Sequence, residues 1–268
     1  MIKPITDFFR EEKIEYFSVL AYSDCNELNR ELIEREGFTP RSVILFLLPY
    51  YAGETVNLSR YAAALDYHIA IREITDALIE RLKLEFPTYH FHGYGDHSPI
   101  DERHAAVISG LGIKGDSTLL INEKYGTYVF IADIVTDVPP EALGAVSPLP
   151  VVTCSHCGAC RRACPSGILR GECDSCLSAI TQRKGELTEK EVEMMRKVDT
   201  VWGCDVCQSV CPHNRDPLLT PIEFFHSQRI ECLTGDVLSS LSKDEFKRRA
   251  FAWRGRKTIE RNLEALDY

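Results

Sequence analysis

The sequence predicts an α/β domain (α+β in the broad sense), then a cysteine-rich module, then a short helical tail. Three observations predict that order. Helix and strand signals alternate over residues 1–145, as in a layered domain built from both element types. Nine of the eleven cysteines fall between Cys154 and Cys211. Val138–Pro150 carries four prolines where the composition changes, which reads as a linker. The expected domains are therefore 1–145, 146–216 and 217–268.

The elements of the first domain follow from local signals. Ile5 to Lys13 reads as a short helix and Tyr16 to Tyr22 as a strand. Ser23 and Asp24 offer caps for a helix through Glu36, which Gly37 ends. Arg41 to Leu48 is a buried apolar strand, stopped by Pro49. Ser59 is placed to cap a long helix reaching Phe86, and Pro87 closes it. Tyr89 to Tyr94 is a weaker strand. Asp101 to Ser109 is a helix ended by Gly110. Thr118–Asn122 and Thr127–Thr136 are expected to pair as a hairpin around Lys124-Tyr125-Gly126.

Composition narrows the function classes. Hydrophobic residues at 44% and charged residues at 26% exclude a disordered or fibrous chain. The net charge of −9 argues against binding nucleic acid by bulk charge. Met1–Glu12 has no apolar export core, and the longest apolar run, Val43–Leu48, is too short to span a bilayer. The expected location is the cytoplasm, with no membrane partner. Thiols stay reduced there, and grouped cysteines mean metal or catalysis. An odd cysteine count also fits a disulfide framework poorly.

Cys154-Ser-His-Cys157-Gly-Ala-Cys160-Arg-Arg-Ala-Cys164-Pro165 has the spacing of a bacterial ferredoxin run. Three thiolates on one tight loop reach different irons of a cubane, while the fourth points towards a second cluster. Pro165 suits the first turn of a following helix. Cys204-Asp-Val-Cys207-Gln-Ser-Val-Cys211-Pro212 supplies a second group with the same ending. Two [4Fe-4S] clusters need eight thiolates, and these groups give seven, so Cys173 or Cys176 is the eighth. The crossing rule joins Cys154, Cys157 and Cys160 to Cys211. It joins Cys164, Cys204 and Cys207 to the eighth cysteine. Structural zinc is the plainer alternative, but zinc does not require this run. Two adjacent clusters form an electron wire, which places the redox chemistry in the front domain.

The stretch Ser109-Gly-Leu-Gly-Ile-Lys-Gly-Asp-Ser-Thr118 is neither a dinucleotide fingerprint nor a P-loop. Its glycines allow close approach of a bulky group, or simply a tight connection. Here a family resemblance enters. It is carried by Arg41–Tyr51, Ser59–His68, Gly95-Asp-His-Ser-Pro-Ile-Asp-Glu-Arg103, Gly110–Ile121, Cys176–Thr181, Gly203–Asn214 and the tail Arg261–Leu266. Together they resemble the epoxyqueuosine reductase family, the cobalamin-dependent iron–sulfur enzymes of queuosine biosynthesis in tRNA.

The resemblance implies a cobalamin in the front domain, supplied with electrons by the clusters. It implies a carboxylic acid that protonates the oxygen leaving an epoxide, and the family's aspartate matches Asp96. It selects Cys176 over Cys173 as the eighth ligand. It places Tyr61, Asp66, Tyr67, His68, His97 and Ser98, with Gly110, Gly112 and Gly115, around the corrinoid. The implied partners are tRNA and an external electron donor of ferredoxin or flavodoxin type. A small-molecule substrate and a corrinoid-free electron carrier are the alternatives. Read from the residues alone, Asp96 is a turn aspartate, and Tyr61, Tyr67 and His68 are one face of a helix. Glu102 and Arg103 are expected to pair or to cap the next helix.

Three departures bear on substrate. Ala64-Leu65 stands where the family has Gly-Arg, and Asp116 stands where it has Lys. The chain stops at Tyr268, before the family's helical-repeat region. Lys247 to Arg261 holds seven basic residues against one acid, with Phe251 and Trp253 among them. This is either a phosphate-binding patch or a solvated basic helix.

Overall fold

The apolar run predicted as a buried strand forms the middle of a four-stranded sheet in the computed structural model, which describes residues 2–268. The strands are β1 (Phe17–Ala21), β2 (Ser42–Pro49), β3 (Phe91–Gly95), β4 (Ile113–Lys114), β5 (Leu120–Ile121) and β6 (Val129–Thr136). The sheet order is β1-β2-β6-β3. Every pair in it is antiparallel, so this layer is mixed α+β rather than a crossover α/β sheet.

All eight residues of β2 are buried because both faces of the sheet are covered. On one face Ile44 and Phe46 share their side with Ile134, Ala132, Gly93 and Gly95. The helix Tyr67–Glu85 lies against that side. A Cβ on Gly93 would come within 2.5 Å of Thr75, and one on Gly95 within 2.7 Å of Ile71. The opposite face carries Val43, Leu45, Leu47, Ile131 and Val135. It buries them with Ala105, Ala106 and Ile108 of the helix Glu102–Ile108. Asp133 and Tyr94 face each other across β6 and β3 on this second side.

Several local expectations give way to tertiary contacts. The helix after Ser59 begins only at Tyr67, because the Ser59 hydroxyl donates to the carboxylate of Asp205 instead of capping a long helix. The segment Tyr22–Asp24 is one 3₁₀ turn, and the helix ending at Glu36 starts at Arg30. Gly37 closes it with φ +74°, as glycine readily does. β5 pairs with β4 rather than forming a hairpin with β6; only Asn122 and Gly126 bridge there. The proline-rich segment is not a free linker: Val138 and Leu143 are fully buried.

The chain divides into two compact units rather than three consecutive domains. The sheet unit runs to Pro49 and resumes over His68–His156. The cluster unit comprises Tyr50–Tyr67 and Cys157–Tyr268. The excursion 50–67 belongs there because Leu58 and Ala62 enter a core with Trp202, Phe251 and Leu263. The tail has no separate core: Ile259 and Leu263 of the helix Arg256–Leu266 complete the same cluster. Asn262 Nδ2 donates to the carbonyls of Thr181 and Val201 at 2.7 and 2.8 Å. No helix among the described residues is long and apolar enough to cross a membrane.

Candidate functional site

β3 ends at Gly95, and the next residue, Asp96, takes a left-handed φ of +62°. A non-glycine residue held there costs about 1–3 kcal/mol, so the surrounding fold must impose it. Its side chain is half exposed, and Oδ2 lies 3.8 Å from His68 Nε2 at the start of the helix Tyr67–Glu85. His97 is exposed. Asp101 begins the next helix by accepting the His104 backbone N–H. Glu102 therefore neither caps this helix nor pairs with Arg103, whose guanidinium instead donates to the Thr118 carbonyl.

Glu102 points inward. Its Oε2 is buried, as are both carboxylate oxygens of Asp133 and the Tyr94 hydroxyl, and none of these atoms has a hydrogen-bond partner. Burial is the main force on both acids. It pushes Asp133 up to about 7, with the Ser98 hydroxyl close enough to ease the shift only in part. It pushes Glu102 up to about 8, aided by the charges of Asp133 and Asp96 and opposed by Arg103. Sequence reasoning missed Asp133; the signal was a lone acid inside the otherwise apolar strand Val-Phe-Ile-Ala-Asp-Ile-Val-Thr.

In the cluster unit, Cys204 and Cys207 each sense the charge of Cys176, and Cys204 also senses Cys164. Cys176 in turn senses both Cys164 and Cys173. The Cys173 thiol donates to the carbonyls of Ser166 and Ser175 at 3.1 and 3.2 Å. Burial raises Cys204 and Cys207 to about 12, so they become thiolates only when a metal displaces the proton. Burial also raises Cys164, but backbone N–H groups of Leu169, Gly167 and Ser166 outweigh it and bring the thiol below its ordinary value. None of the eleven cysteines is in a disulfide, and this thiol donor set fits iron–sulfur clusters. Cys207 also senses Cys160, Cys157 is exposed, and Cys211 begins the 3₁₀ turn Pro212–Asn214.

Asp205, between two of these cysteines, anchors the excursion 50–67. Its carboxylate accepts from Ser59 Oγ at 2.6 Å, the Arg60 backbone N at 2.7 Å and Gln208 Nε2 at 2.9 Å. Arg60 Nη1 adds an ion pair at 3.2 Å. Gly203 needs its φ of +78° and its missing side chain because a Cβ there would collide with Ser59. In the sheet unit Cys154 lies with Asp116 and His156, their ligand atoms within 4.8 Å of one another. Asp116 accepts or shares a proton with His156 Nδ1 at 2.7 Å. The acid that departs from the family's lysine thus has a partner in the cysteine loop.

Other predicted residues have structural work. A Cβ at Gly112 would sit 2.6 Å from the Ile121 carbonyl oxygen, and one at Gly115 3.0 Å from that of Leu119. Gly110 adopts φ +83° against Leu149. These glycines serve the β4–β5 ribbon. Ser98 is buried and accepts the Ile100 N–H. Tyr61 accepts from Trp202 Nε1 at 3.0 Å and meets the buried Tyr67 edge-on. The Asp66 backbone N–H donates to Arg248. The basic tail is largely spent internally. Arg249 donates to Gln228 and Ala63 carbonyls, Arg261 to those of Arg183 and Thr181, and Arg256 to Leu238 and Glu260. Trp253 stays exposed, with the Arg254 guanidinium 3.7 Å above its ring.

Residues 153–214 match the family described as "4Fe-4S double cluster binding domain". The epoxyqueuosine reductase of Listeria monocytogenes is 33% identical over 219 residues, 76% of this chain and 55% of that protein. The chain thus spans about half the length of that relative. The epoxyqueuosine reductase of Leadbetterella byssophila is 30% identical over 280 residues, covering 96% of this chain and 90% of its own length. A crystal structure of selenomethionine-labelled epoxyqueuosine reductase shares the fold, with a TM-score of 0.78 at 22% identity over 98% of this chain and 80% of that one. With near-complete coverage of a relative at this identity, the chain belongs to the epoxyqueuosine reductase family.

Proposed function

We propose that this chain reduces the epoxide of epoxyqueuosine in tRNA, with Asp96 delivering a proton to the departing oxygen. One observation carries the reading: a double-cluster domain and an exposed acid at the end of β3 occur together over a length matching 90% of the Leadbetterella byssophila reductase. An alkoxide leaving group needs a positioned donor. Asp96 is held for that task by its left-handed backbone, with His68 Nε2 3.8 Å from its Oδ2. The tRNA substrate is supported by a solved family structure holding an epoxyqueuosine-modified tRNA-Tyr stem loop.

Cys154, Cys157, Cys160 and Cys211 are assigned to one cluster, and Cys164, Cys176, Cys204 and Cys207 to the other. Cobalamin, when bound, supplies the reducing centre for the epoxide carbon. His68 and His97 of the sheet unit are assigned to hold it, beside Asp96. The half-exposed polar ends of His68 and Asp96 suit its amide-rimmed macrocycle. The glycines 110, 112 and 115 are not needed for this role, since the chain's own backbone uses them. An external ferredoxin or flavodoxin in the cytoplasm feeds the clusters.

The test begins with anaerobic purification and reconstitution. About eight irons and eight sulfides per chain are expected, with tight retention of added cobalamin. Wild type is expected to reduce an epoxyqueuosine stem loop, and Asp96→Asn to lose roughly 10²–10⁴ in kcat. Full activity of Asp96→Asn would remove that residue from the mechanism. Activity on a small epoxide but not on the stem loop would replace tRNA as the substrate.

A further inference from the structure

Behind Asp96 lies a second acidic centre that the reading above does not use. Asp133 sits in the middle of β6 among Leu45, Tyr94, Ile131 and Val135, with no exposed surface. Burying an ionised carboxylate among apolar side chains is so costly that such a group normally binds a proton instead. A structural aspartate would recover the cost through donors, as Asp205 does with Ser59, Arg60 and Gln208. Asp133 has only the Ser98 hydroxyl nearby, with neither oxygen in a hydrogen bond, and Glu102 buries an equally unpartnered Oε2.

The groups facing this pair are few. Tyr94 comes from β3, Ser98 from the following loop, and Cys25 from the segment after β1. Glu36 faces Tyr94 and is paired with His92. Asp101, Arg103 and Asp96 bear on Glu102. Only Arg103 is a permanent cation, and its Nη1 donates to the Thr118 carbonyl. The surroundings therefore favour the protonated acids. The charges of both Asp133 and Asp96 bear on Glu102, which couples it electrostatically to the buried acid and to the exposed one.

The reaction has a use for such a pair. Reducing an epoxide to an olefin breaks both C–O bonds, forms the C=C bond and releases the oxygen as water. It consumes two electrons, supplied through the clusters from an external flavodoxin- or ferredoxin-type donor, and two protons. Asp96 carries one proton. We propose that Glu102 and Asp133 form a buried proton store that recharges Asp96, so that both protons reach the oxygen within one turnover. This inference rests on the reading of Asp96 as the proton donor. Glu102 and Asp133 touch no substrate in this scheme; they act through Asp96.

Infrared difference spectra of the purified chain test the store without any turnover. The C=O stretch of a protonated carboxylic acid should persist at neutral pH, disappear at alkaline pH, and weaken in both Glu102→Gln and Asp133→Asn. Absence of that band at neutral pH in wild type would overturn the proposal. In the reconstituted holoenzyme, Glu102→Gln should lower kcat at least tenfold with KM for the stem loop unchanged. Its rate should also lose the alkaline limb of the wild-type pH profile, and Glu102→Asp should restore part of both. Glu102→Gln keeps the side-chain volume at a half-buried helix start, so it tests the store even if Asp133→Asn fails to fold. Unchanged kcat and pH profile in Glu102→Gln would equally overturn it. A wild-type holoenzyme inactive on epoxide, yet showing the acid band, would defeat the reductase reading and leave the store standing.

Discussion

The cluster unit and the sheet unit each bury an aspartate, and they treat it in opposite ways. Asp205 is buried with a hydroxyl, two N–H donors and a guanidinium around its carboxylate. Asp133 is buried with a single hydroxyl, that of Ser98, nearby and no hydrogen bond to either oxygen. The first arrangement is a joint: it fastens the excursion 50–67 to the loop carrying Cys204 and Cys207. The second stores no structural energy in its ionised form, and is stable only while it keeps a proton. Charge burial in one molecule thus serves fixation where donors converge and proton chemistry where they are missing.

The sharpest way to break this contrast is at Asp205. Asp205→Ala strands Arg60 and removes the acceptor of Ser59, and breaking a buried pair from one side costs about 3–5 kcal/mol. The expected outcome is a large drop in the urea midpoint, with weakened iron retention at the neighbouring cysteines. A midpoint within error of wild type would show that the joint carries no load.

Asp133 is expected to behave with the opposite sign. Its folded-state proton affinity, and that of Glu102, lies above the ordinary carboxylate range, at about 7 and about 8. A raised folded value stabilises the fold fully below the unfolded pKa of about 4, and that contribution is lost as pH climbs through 7 and 8. Wild type should therefore show a lower urea midpoint at about pH 9 than at about pH 6. Asp133→Asn should flatten that difference. A flat wild-type profile would mean that the acids are paired in a way the geometry does not contain.

A smaller effect separates backbone packing from ligand binding at the glycine run. Gly112→Ala places a methyl against the Ile121 carbonyl, and overpacking of this kind costs about 1–3 kcal/mol. The loss should appear in thermal melts of the chain without cobalamin. If stability is unchanged and only cobalamin retention falls, the glycine belongs to the cofactor after all.

Much of the fold was legible locally. The fully apolar β2, the helix expected over Asp101–Ser109 and the stop at Gly37 are each written within a few residues, and each formed close to its expected place. The hairpin expected across Lys124-Tyr125-Gly126 was not, because β5 takes its hydrogen bonds from β4. The first turns of the helix expected from Ser59 gave way to a partner at Asp205, distant in sequence, and the helix begins at Tyr67. Basic residues of the tail read as a surface patch, yet Arg249 and Arg261 turn inward to carbonyls that no local pattern reveals.

The sequence by itself supplied the cysteine spacing that proposes the cluster ligands, and through its family resemblance the candidacy of Asp96 and Cys176. Ligand spacing on one loop is a local, covalent property, and motif matching reads such properties directly. The tertiary structure decided which buried acids have donors, where the glycines are spent and which segment leaves the sheet unit for the cluster unit. Burial and partnering depend on residues brought together from far apart in the chain. Glu102 reads as a helix-start acid and Asp133 carries no reading at all until the fold buries both without hydrogen-bond partners.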